Sequence, residues 1–475
     1  MMHLQTLKEP RLLFARGEHI CPRHGIAAHG VFDSKDPHSR RATIRVGAVG
    51  DSAGLEALQA WIEKCRGHID ASPGTRQARL FPAFSGMRPG FGFDVELVWH
   101  SNLTRPVRNV DIAQVVGISS LHERIGKAVD VFYEEVKFLA EHREVDVIVC
   151  VVPDALHQAI AGKGKAEADE SLEATVDVTG EMNFRRALKA KAMHLSAPLQ
   201  LIRAKSLKPD ATGQQDPATK AWNFCTALYY KSGPKVPWKL ASASARPTSC
   251  AVGIAFYRSR DYQSLNTSLA QVFDELGHGL ILRGTPVNIS QEDRNPHLSE
   301  AQAQQLLRRA LEEYRIAMKT MPARVVVHKS SRFTPEEIAG FDAAAQDLHI
   351  NTVDFVTILD SRLRIFRQGN YPPYRGTLLD LDGERHLLYT RGSVWFYETY
   401  PGMYIPEPIE LRIVRSEETP LFLANEVLGL TKMNWNNTQF DGKYPVTLGC
   451  ARKVGEVLKY LGESDKPQSR YSYYM

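Results

Sequence analysis

The sequence contains no long uninterrupted apolar stretch. A membrane-crossing helix needs about 18 or more consecutive apolar residues, and none of the 475 residues lies in such a run. Residues 1–11 also lack the apolar segment and small-residue cleavage site of a secretory signal. We therefore expect a cytoplasmic protein with no membrane partner.

Paired cysteines and nucleotide-binding loops are also missing. The six cysteines are scattered, with no Cys-x-x-Cys pair, which argues against a disulfide framework and suits a reducing compartment. No glycine-rich loop stands between a predicted strand and helix, so we expect no NAD site in this chain. No Ser or Cys occupies a recognisable nucleophile elbow.

Carboxylates are absent from two apolar strands in the C-terminal half. Residues 251–257 and 324–330 contain no Asp or Glu. Two-metal cleavage of phosphodiesters needs clustered carboxylates, because the hard cations involved are held by oxygen ligands. The absence argues against such cleavage by these strands.

Positive charge, in contrast, is concentrated in one segment. The whole chain has a net charge of +5, from 59 basic and 54 acidic residues, whereas residues 181–240 alone hold 11 basic and 3 acidic residues, or +8. Such a concentration is the expected footprint of a phosphate-bearing partner. A solvated basic face is the alternative that charge alone leaves open.

Length and hydrophobic periodicity predict an α/β protein of two or three domains. Helical spacing covers residues 122–140, 183–195 and 217–230, and apolar runs predict strands at 145–153 and 198–203, with a loop at 204–219. This alternation indicates parallel strands. After residue 249 the pattern predicts a mixed sheet followed by helices. Its strands are expected at 251–257, 276–283, 324–328, 352–359, 364–367, 387–389, 394–397 and 409–414, and its helices at 300–320, 335–348 and 450–461.

A phosphate pocket is predicted inside the basic segment. Arg185 and Lys189 are four residues apart and share one face of a helix. Gln200 opens the next strand and Lys231 ends the following helix. This group of three cations and one planar amide suits a terminal phosphate, because a phosphate accepts several charge-assisted hydrogen bonds. A basic surface face with an exposed Gln200 is the alternative.

The same residues, with the run 229–238, resemble the MID domain of Argonaute proteins. The resemblance implies that Arg185, Lys189, Gln200 and Lys231 hold the 5′-phosphate of a guide strand. It also implies a Rossmann-like MID domain at 111–245 and an RNase H-like PIWI domain at 246–475. An N-terminal region at 1–110 would pack on both. Because the chain lacks room for N-terminal and PAZ domains, it resembles a short prokaryotic Argonaute.

A metal ion at the guide end is also part of the resemblance. Some prokaryotic members bind a cation through the C-terminal carboxylate, which makes Met475 the candidate ligand for Mg²⁺ bridging the guide 5′-phosphate. The side chain that assists there in those members is replaced by Ala227. The metal is therefore left open.

The resemblance further implies a degenerate cleavage site. Ala255, Lys329 and Arg452 take three of the positions held by acids in active PIWI domains. The fourth acid should fall at 276–288, where no Asp or Glu occurs, and Glu292 comes too late. We expect the cations to hold the duplex backbone instead. Arg362, Arg364, Arg367, Arg375, Tyr371 and Tyr374 are further candidates for backbone contact, and Asp354 and Asp360 are an alternative acid pair.

The resemblance therefore implies a nuclease-inactive guided protein and not an enzyme. It would pair a guide RNA with target DNA and activate an APAZ-containing effector, such as a sirtuin-like or TIR NADase, in antiviral or anti-plasmid defence. The effector would form a heterodimer with this chain. A guided nuclease with another acid set and an effector-independent roadblock remain as alternatives. The sequence does not specify the effector, the guide length or its base preference.

Overall fold

The computed structural model describes residues 3–35, 42–73, 77–161, 182–208, 215–233, 236–241, 248–260, 264–273, 279–287, 289, 295–369, 372–402, 404–462 and 465–475. Its strands, in chain order, are β1 His3–Thr6, β2 Leu12–Leu13, β3 Glu18–His19, β4 Thr43–Gly50, β5 Met87–Arg88, β6 Phe91–Gly92, β7 Glu96–Val98, β8 Thr104–Pro106, β9 Val147–Val152, β10 Leu199–Arg203, β11 Lys239–Leu240, β12 Ser249–Arg258, β13 Leu265–Phe273, β14 Gly279–Val287, β15 Arg324–Lys329, β16 Thr352–Asp360, β17 Thr377–Asp380, β18 Arg385–Leu388 and β19 Ile409–Arg415.

Helices surround these strands. They are α1 Pro22–His29, α2 Ser52–Arg66, α3 Asn109–Val116, α4 Leu121–His142, α5 Asp154–Ile160, α6 Phe184–Lys191, α7 Ala204–Leu207, α8 Pro217–Lys231, α9 Glu300–Met318, α10 Pro335–Asp347, α11 Pro420–Leu430 and α12 Val446–Leu458. Short 3₁₀ turns occur at Phe32–Lys35, Ser101–Leu103 and Tyr471–Tyr473. Within the described ranges, no helix combines the length and apolar character needed to cross a membrane.

A small parallel sheet carries the basic segment. Its strand order is β10-β9-β4-β7, with β8 also paired to β4, and every pairing is parallel. The central strand β9 is buried along its whole length, as expected for a parallel strand covered on both faces. Because β4, β7 and β8 come from the first 110 residues, strand pairing runs across the domain boundary predicted there.

A nine-stranded mixed sheet forms the C-terminal half, in the order β1-β17-β18-β19-β16-β15-β12-β13-β14. The neighbours β12, β15 and β16 are parallel, and the other pairs are antiparallel. The N-terminal strand β1 pairs with β17 at the far edge. The chain is therefore α/β, as predicted. All strands from Ser249 onward belong to the nine-stranded sheet.

Helix α12 packs closely on the middle of this large sheet. A Cβ atom on Gly253 would lie 2.3 Å from the carbonyl carbon of Thr447, at the start of α12. Gly455 approaches Tyr257 of the same strand in a similar way. This close approach brings α12 between the two sheets, where its apolar side chains join a core shared with α8.

Several predicted elements differ from the structure. Residues 364–367 and 394–397 form no strand, and Val394 makes only an isolated bridge with Thr399. The predicted loop at 204–219 begins with helix α7, and its residues 209–214 lie outside the described part. The last helix begins at Val446, earlier than the predicted 450, since Pro445 stands immediately before its first turn.

Candidate nucleic-acid-binding site

Helix α6 presents the first two predicted phosphate ligands. Asn183 caps the helix, its side chain accepting a hydrogen bond from the Arg186 backbone N–H. The apolar positions of α6 face the core, which leaves Arg185 and Lys189 on a common side. The Arg185 guanidinium donates to the carbonyl of Leu201 at 3.1 Å, tying it to β10.

Lys231 and Gln200 meet where α8 ends above β10. The Lys231 ammonium donates to Gln200 Oε1, and the residue is only 1% exposed. Burial, followed by the nearby charges of Arg185 and Lys453, holds the pKa of Lys231 well below its ordinary value. Within the described part of the chain, no carboxylate forms an ion pair with this ammonium. The structure thus brings Arg185, Gln200 and Lys231 together.

Lys453 is a member of this group that sequence reasoning missed. It lies in α12 and acts electrostatically on Lys231. The sequence places it more than 200 residues from Lys231, so only the packing of α12 against α8 reveals it. A Lys inside a helix whose other positions are mostly apolar was the available signal. We call Arg185, Lys189, Lys231 and Lys453, together with Gln200, the cation cluster.

The last residues of the described chain lie against the cation cluster. Tyr471, Tyr473, Tyr474 and Met475 are all buried, which confirms that this segment packs inward. The Tyr473 hydroxyl donates to the carbonyls of Leu195 and Ser196, at 3.0 and 2.8 Å. The Lys189 ammonium donates to the main-chain oxygen of Met475 and approaches that of Tyr474 at 3.5 Å.

The predicted Mg²⁺ ligand Met475 lies beside the cation cluster. One of its oxygens accepts a hydrogen bond from the Lys189 ammonium, and Mg²⁺ usually combines one or two carboxylates with waters and substrate phosphates. Ala227 is buried and adds no ligand. No group of three or more His, Cys, Asp or Glu able to hold a metal occurs among the residues that the structure describes. A Mg²⁺ bridging Met475 and the guide 5′-phosphate stays a prediction.

The predicted cleavage position Ala255 lies in β12 and faces α12. It is 1% exposed and belongs to the same buried cluster as Ala451 and Val454 of α12. The Ser268 hydroxyl contacts the carbonyls of both Ala255 and Ala451, at 3.3 and 2.8 Å. Apolar packing fills the space in which an acid at this position would stand.

Lys329 faces the other side of the sheet, so its predicted role is wrong. Its neighbour His328 faces α12 through Thr447 Oγ1 at 2.9 Å, and successive side chains of a strand alternate between faces. The Lys329 ammonium is fully buried and donates to both Glu337 oxygens, at 2.6 and 2.7 Å. It cannot reach a duplex. Ser330, the next residue, lies just past the end of β15.

Arg452 takes part in an ionic group at the rim. Its guanidinium lies 4.0 Å from the centroid of the Tyr444 ring, and the Tyr444 hydroxyl donates to Asp360. Lys443 pairs with the same carboxylate at 2.9 Å. Burial alone would raise the pKa of Asp360, but the hydrogen bonds from Tyr444 and Lys443, with the charges of Lys443 and Arg452, together lower it.

Asp354, from the alternative acid pair, and Arg375, a predicted backbone contact, form buried ion pairs within the fold. Asp354 is fully buried and pairs with Arg324, which also binds Glu426 at 2.7 and 2.9 Å. Arg375 is 3% exposed and pairs with Glu9 at 3.0 Å, so backbone contact by Arg375 is excluded. Tyr371, Glu292 and parts of 276–288 lie outside the described residues.

Comparison with known proteins identifies the fold. No family model matches the chain, and no curated protein matches its sequence. Clostridium butyricum Argonaute bound to a guide DNA and a 19-mer target DNA is similar in structure, with a TM-score of 0.64, 15% identity, and coverage of 99% of this chain and 55% of that one.

Two further solved structures have a similar fold. Drosophila Piwi has a TM-score of 0.58 and 12% identity, covering 99% of this chain and 56% of its own. Marinitoga piezophila Argonaute, in complex with a 5′ OH guide RNA, has a TM-score of 0.56 and 12% identity, covering 97% and 59%. This chain spans somewhat more than half of these proteins. Its fold is the α/β fold of Argonaute MID–PIWI structures.

Proposed function

We propose that this chain binds the 5′-phosphate of a guide strand at the cation cluster. The observation that carries the proposal is Lys231, buried to 1% exposure beside Arg185 and Lys453. A buried cation is costly unless an anion compensates it. A terminal phosphate would supply two negative charges and several acceptor oxygens at this point.

The bound strand would recognise a target by base pairing. In this proposal the chain is a short Argonaute with MID and PIWI parts, guided by RNA and directed to DNA. Backbone contacts are sequence-independent and pairing supplies the specificity. Support comes from the fold and from neighbours whose structures hold a guide and target DNA or a guide RNA.

Target cleavage is not part of the proposed activity. Ala255 lies in β12 and Ser330 just past the end of β15, and neither supplies a carboxylate. The remaining candidate acids, Asp354 and Asp360, are engaged by Arg324 and Lys443. Among the residues that the structure describes, two-metal hydrolysis therefore lacks a cluster of ligands.

The activity that follows target recognition would then come from a partner chain. We propose an APAZ-containing effector, sirtuin-like or TIR, activated when the guide pairs with invading nucleic acid. Support for this step is the sequence resemblance to short Argonautes. Co-purification of the chain with the product of the adjacent gene, and NAD consumption on adding guide and target, test it. An isolated chain that blocks replication or transcription without a partner would contradict it.

The guide-binding proposal is tested by comparing 5′-phosphorylated with 5′-hydroxyl guides. Loss of charge-assisted hydrogen bonds in Lys231→Met should reduce the preference for 5′-phosphate by about 10- to 100-fold. Lys208→Met is the matched control, since Lys208 is exposed and paired with Asp154 at 2.7 Å. Retention of the full preference in Lys231→Met would overturn the proposal.

A further inference from the structure

Several large aromatic side chains are exposed in one part of the C-terminal half. Phe366 is 81% exposed, Trp395 72% and Tyr404 76%. They lie in the segments 361–369, 391–402 and 404–405, where the described residues form no regular strand apart from isolated bridges. Exposed apolar groups that cluster mark an interaction surface, and Trp395 stacks on a second aromatic ring.

Within this surface, three side chains form a stacked column. The Tyr374 and Trp395 rings lie 4.3 Å apart between centroids, with an interplanar angle of 19°. The Arg367 guanidinium lies 3.7 Å from the centroid of Tyr374. We call Arg367, Tyr374 and Trp395 the stacked column. Its indole is the exposed end.

The backbone beneath the column is held in place. Tyr374 forms a bridge with Ser393, two residues before Trp395. The Ser393 hydroxyl donates to the Pro372 carbonyl at 3.0 Å, and the Arg375 N–H donates to the Ser393 carbonyl at 2.9 Å. These hydrogen bonds hold the two backbone segments that carry the rings, so an incoming ligand meets a pre-ordered surface.

The chain segment that carries Arg367 and Tyr374 is basic. Residues 361–376 contain four Arg and no Asp or Glu. Arg375 is buried, but Arg362 and Arg364 are exposed, and Arg364 forms an ion pair with Glu407. Aromatic rings next to exposed guanidinium groups are the combination that proteins use to bind single-stranded nucleic acid.

We propose that the stacked column binds an unpaired nucleobase on the exposed face of Trp395, while Arg362 and Arg364 attract the adjoining phosphates. The site is separate from the cation cluster. It rests on the proposed function only in that the ligand is nucleic acid. Stacking tolerates any base, since every base has a π face, so the site would hold a strand without reading its sequence.

Affinity for two matched probes tests the proposal. One is a short oligothymidine with a 5′-hydroxyl end, and the other is an abasic oligonucleotide of the same length. Removing a stacked base partner in Trp395→Ala should weaken oligothymidine binding by about 5- to 100-fold. Binding of the abasic probe should be unchanged, and Trp395→Phe should retain most of the affinity.

Phe91 supplies the control. It is 52% exposed, with the Arg88 guanidinium 4.2 Å from its ring centroid, but no second ring from the described part of the chain stacks on it. Phe91→Ala should leave both affinities unchanged. Equal losses of affinity for both probes in Trp395→Ala would overturn the stacking site. No loss of affinity for either probe would also overturn it, and this is the result expected if the surface binds a protein instead. Neither result affects the 5′-phosphate preference, which depends on Lys231.

Discussion

Lys329 and Lys231 are both almost fully buried, and their surroundings differ. Lys329 forms an ion pair with Glu337 through both carboxylate oxygens. Lys231 has the amide oxygen of Gln200 and two neighbouring positive charges. An internally compensated charge stabilises a local structure, whereas an uncompensated one favours binding of an external anion. The two residues therefore have different roles despite equal burial.

The Lys329 pair should be structural. Lys329→Met leaves the Glu337 carboxylate buried without its cation, and the free energy of unfolding should fall by about 3–5 kcal/mol. Adding Glu337→Gln should recover part of the loss. Arg308→Ala removes an exposed pair with Asp347 and should cost no more than about 1 kcal/mol. Urea denaturation measures all three, and a loss as small as that of Arg308→Ala would contradict the assignment.

Guide affinity should depend on pH through Lys231. Its pKa is lowered in the free protein, mainly by burial, and a bound phosphate favours the protonated ammonium. Binding therefore takes up a proton between this lowered pKa and the ordinary value of 10.5. The phosphate itself is dianionic above its second pKa of about 6.

The preference for 5′-phosphorylated guides should consequently decrease as pH rises through that window. In Lys231→Met the smaller remaining preference should not change over the same range. Fluorescence anisotropy with both guide ends across pH measures the dependence. A preference that is flat with pH in the unmodified protein would rule out proton uptake by Lys231.

At the scale of elements, features that depend on local sequence patterns were predicted, whereas features that depend on packing between elements were missed. The four-residue spacing of Arg185 and Lys189 correctly placed both on one face of α6, and the apolar run at 145–153 predicted β9. Lys453 was missed because its closeness to Lys231 depends on α12 packing against α8. The face of Lys329 was missed because Val325, Val326 and Val327 are apolar on both sides of β15, so no alternation marks the register.

Helix α6 connects local stability with binding. Asn183→Ala removes the side-chain cap of the helix that carries Arg185 and Lys189 and should cost about 1 kcal/mol. Because the cap also fixes the first turn, the 5′-phosphate preference should fall with it. Ser299→Ala removes the corresponding cap from α9, with a similar loss of stability but no loss of preference. Equal effects of the two variants on guide binding would contradict a specific role for α6.

At the scale of the whole molecule, the two sheets carry separate tasks. The parallel sheet with α6 and α8 supports the cation cluster, while α12 contributes Lys453 from the side of the nine-stranded sheet. In the middle of that sheet Ala255, one of the positions that the sequence resemblance assigns to an acid, shares a buried cluster with Ala451 and Val454. We therefore expect recognition without cleavage.

Cleavage assays should therefore be negative. A labelled target paired with a 5′-phosphorylated guide should stay intact on incubation with this chain in Mg²⁺ or Mn²⁺, because no metal-binding cluster of side chains occurs in the described ranges. The same samples should show target binding by gel shift. Guide-dependent cutting at a defined position would establish another acid set and contradict the inactive assignment.

The most direct test of guide binding is to extract and end-label the nucleic acid that co-purifies with the chain. We expect short RNA of defined length that accepts a 5′ label only after phosphatase treatment, and we expect this RNA to be lost from Lys231→Met. Strands of mixed length with free 5′-hydroxyl ends, recovered equally from both proteins, would contradict it.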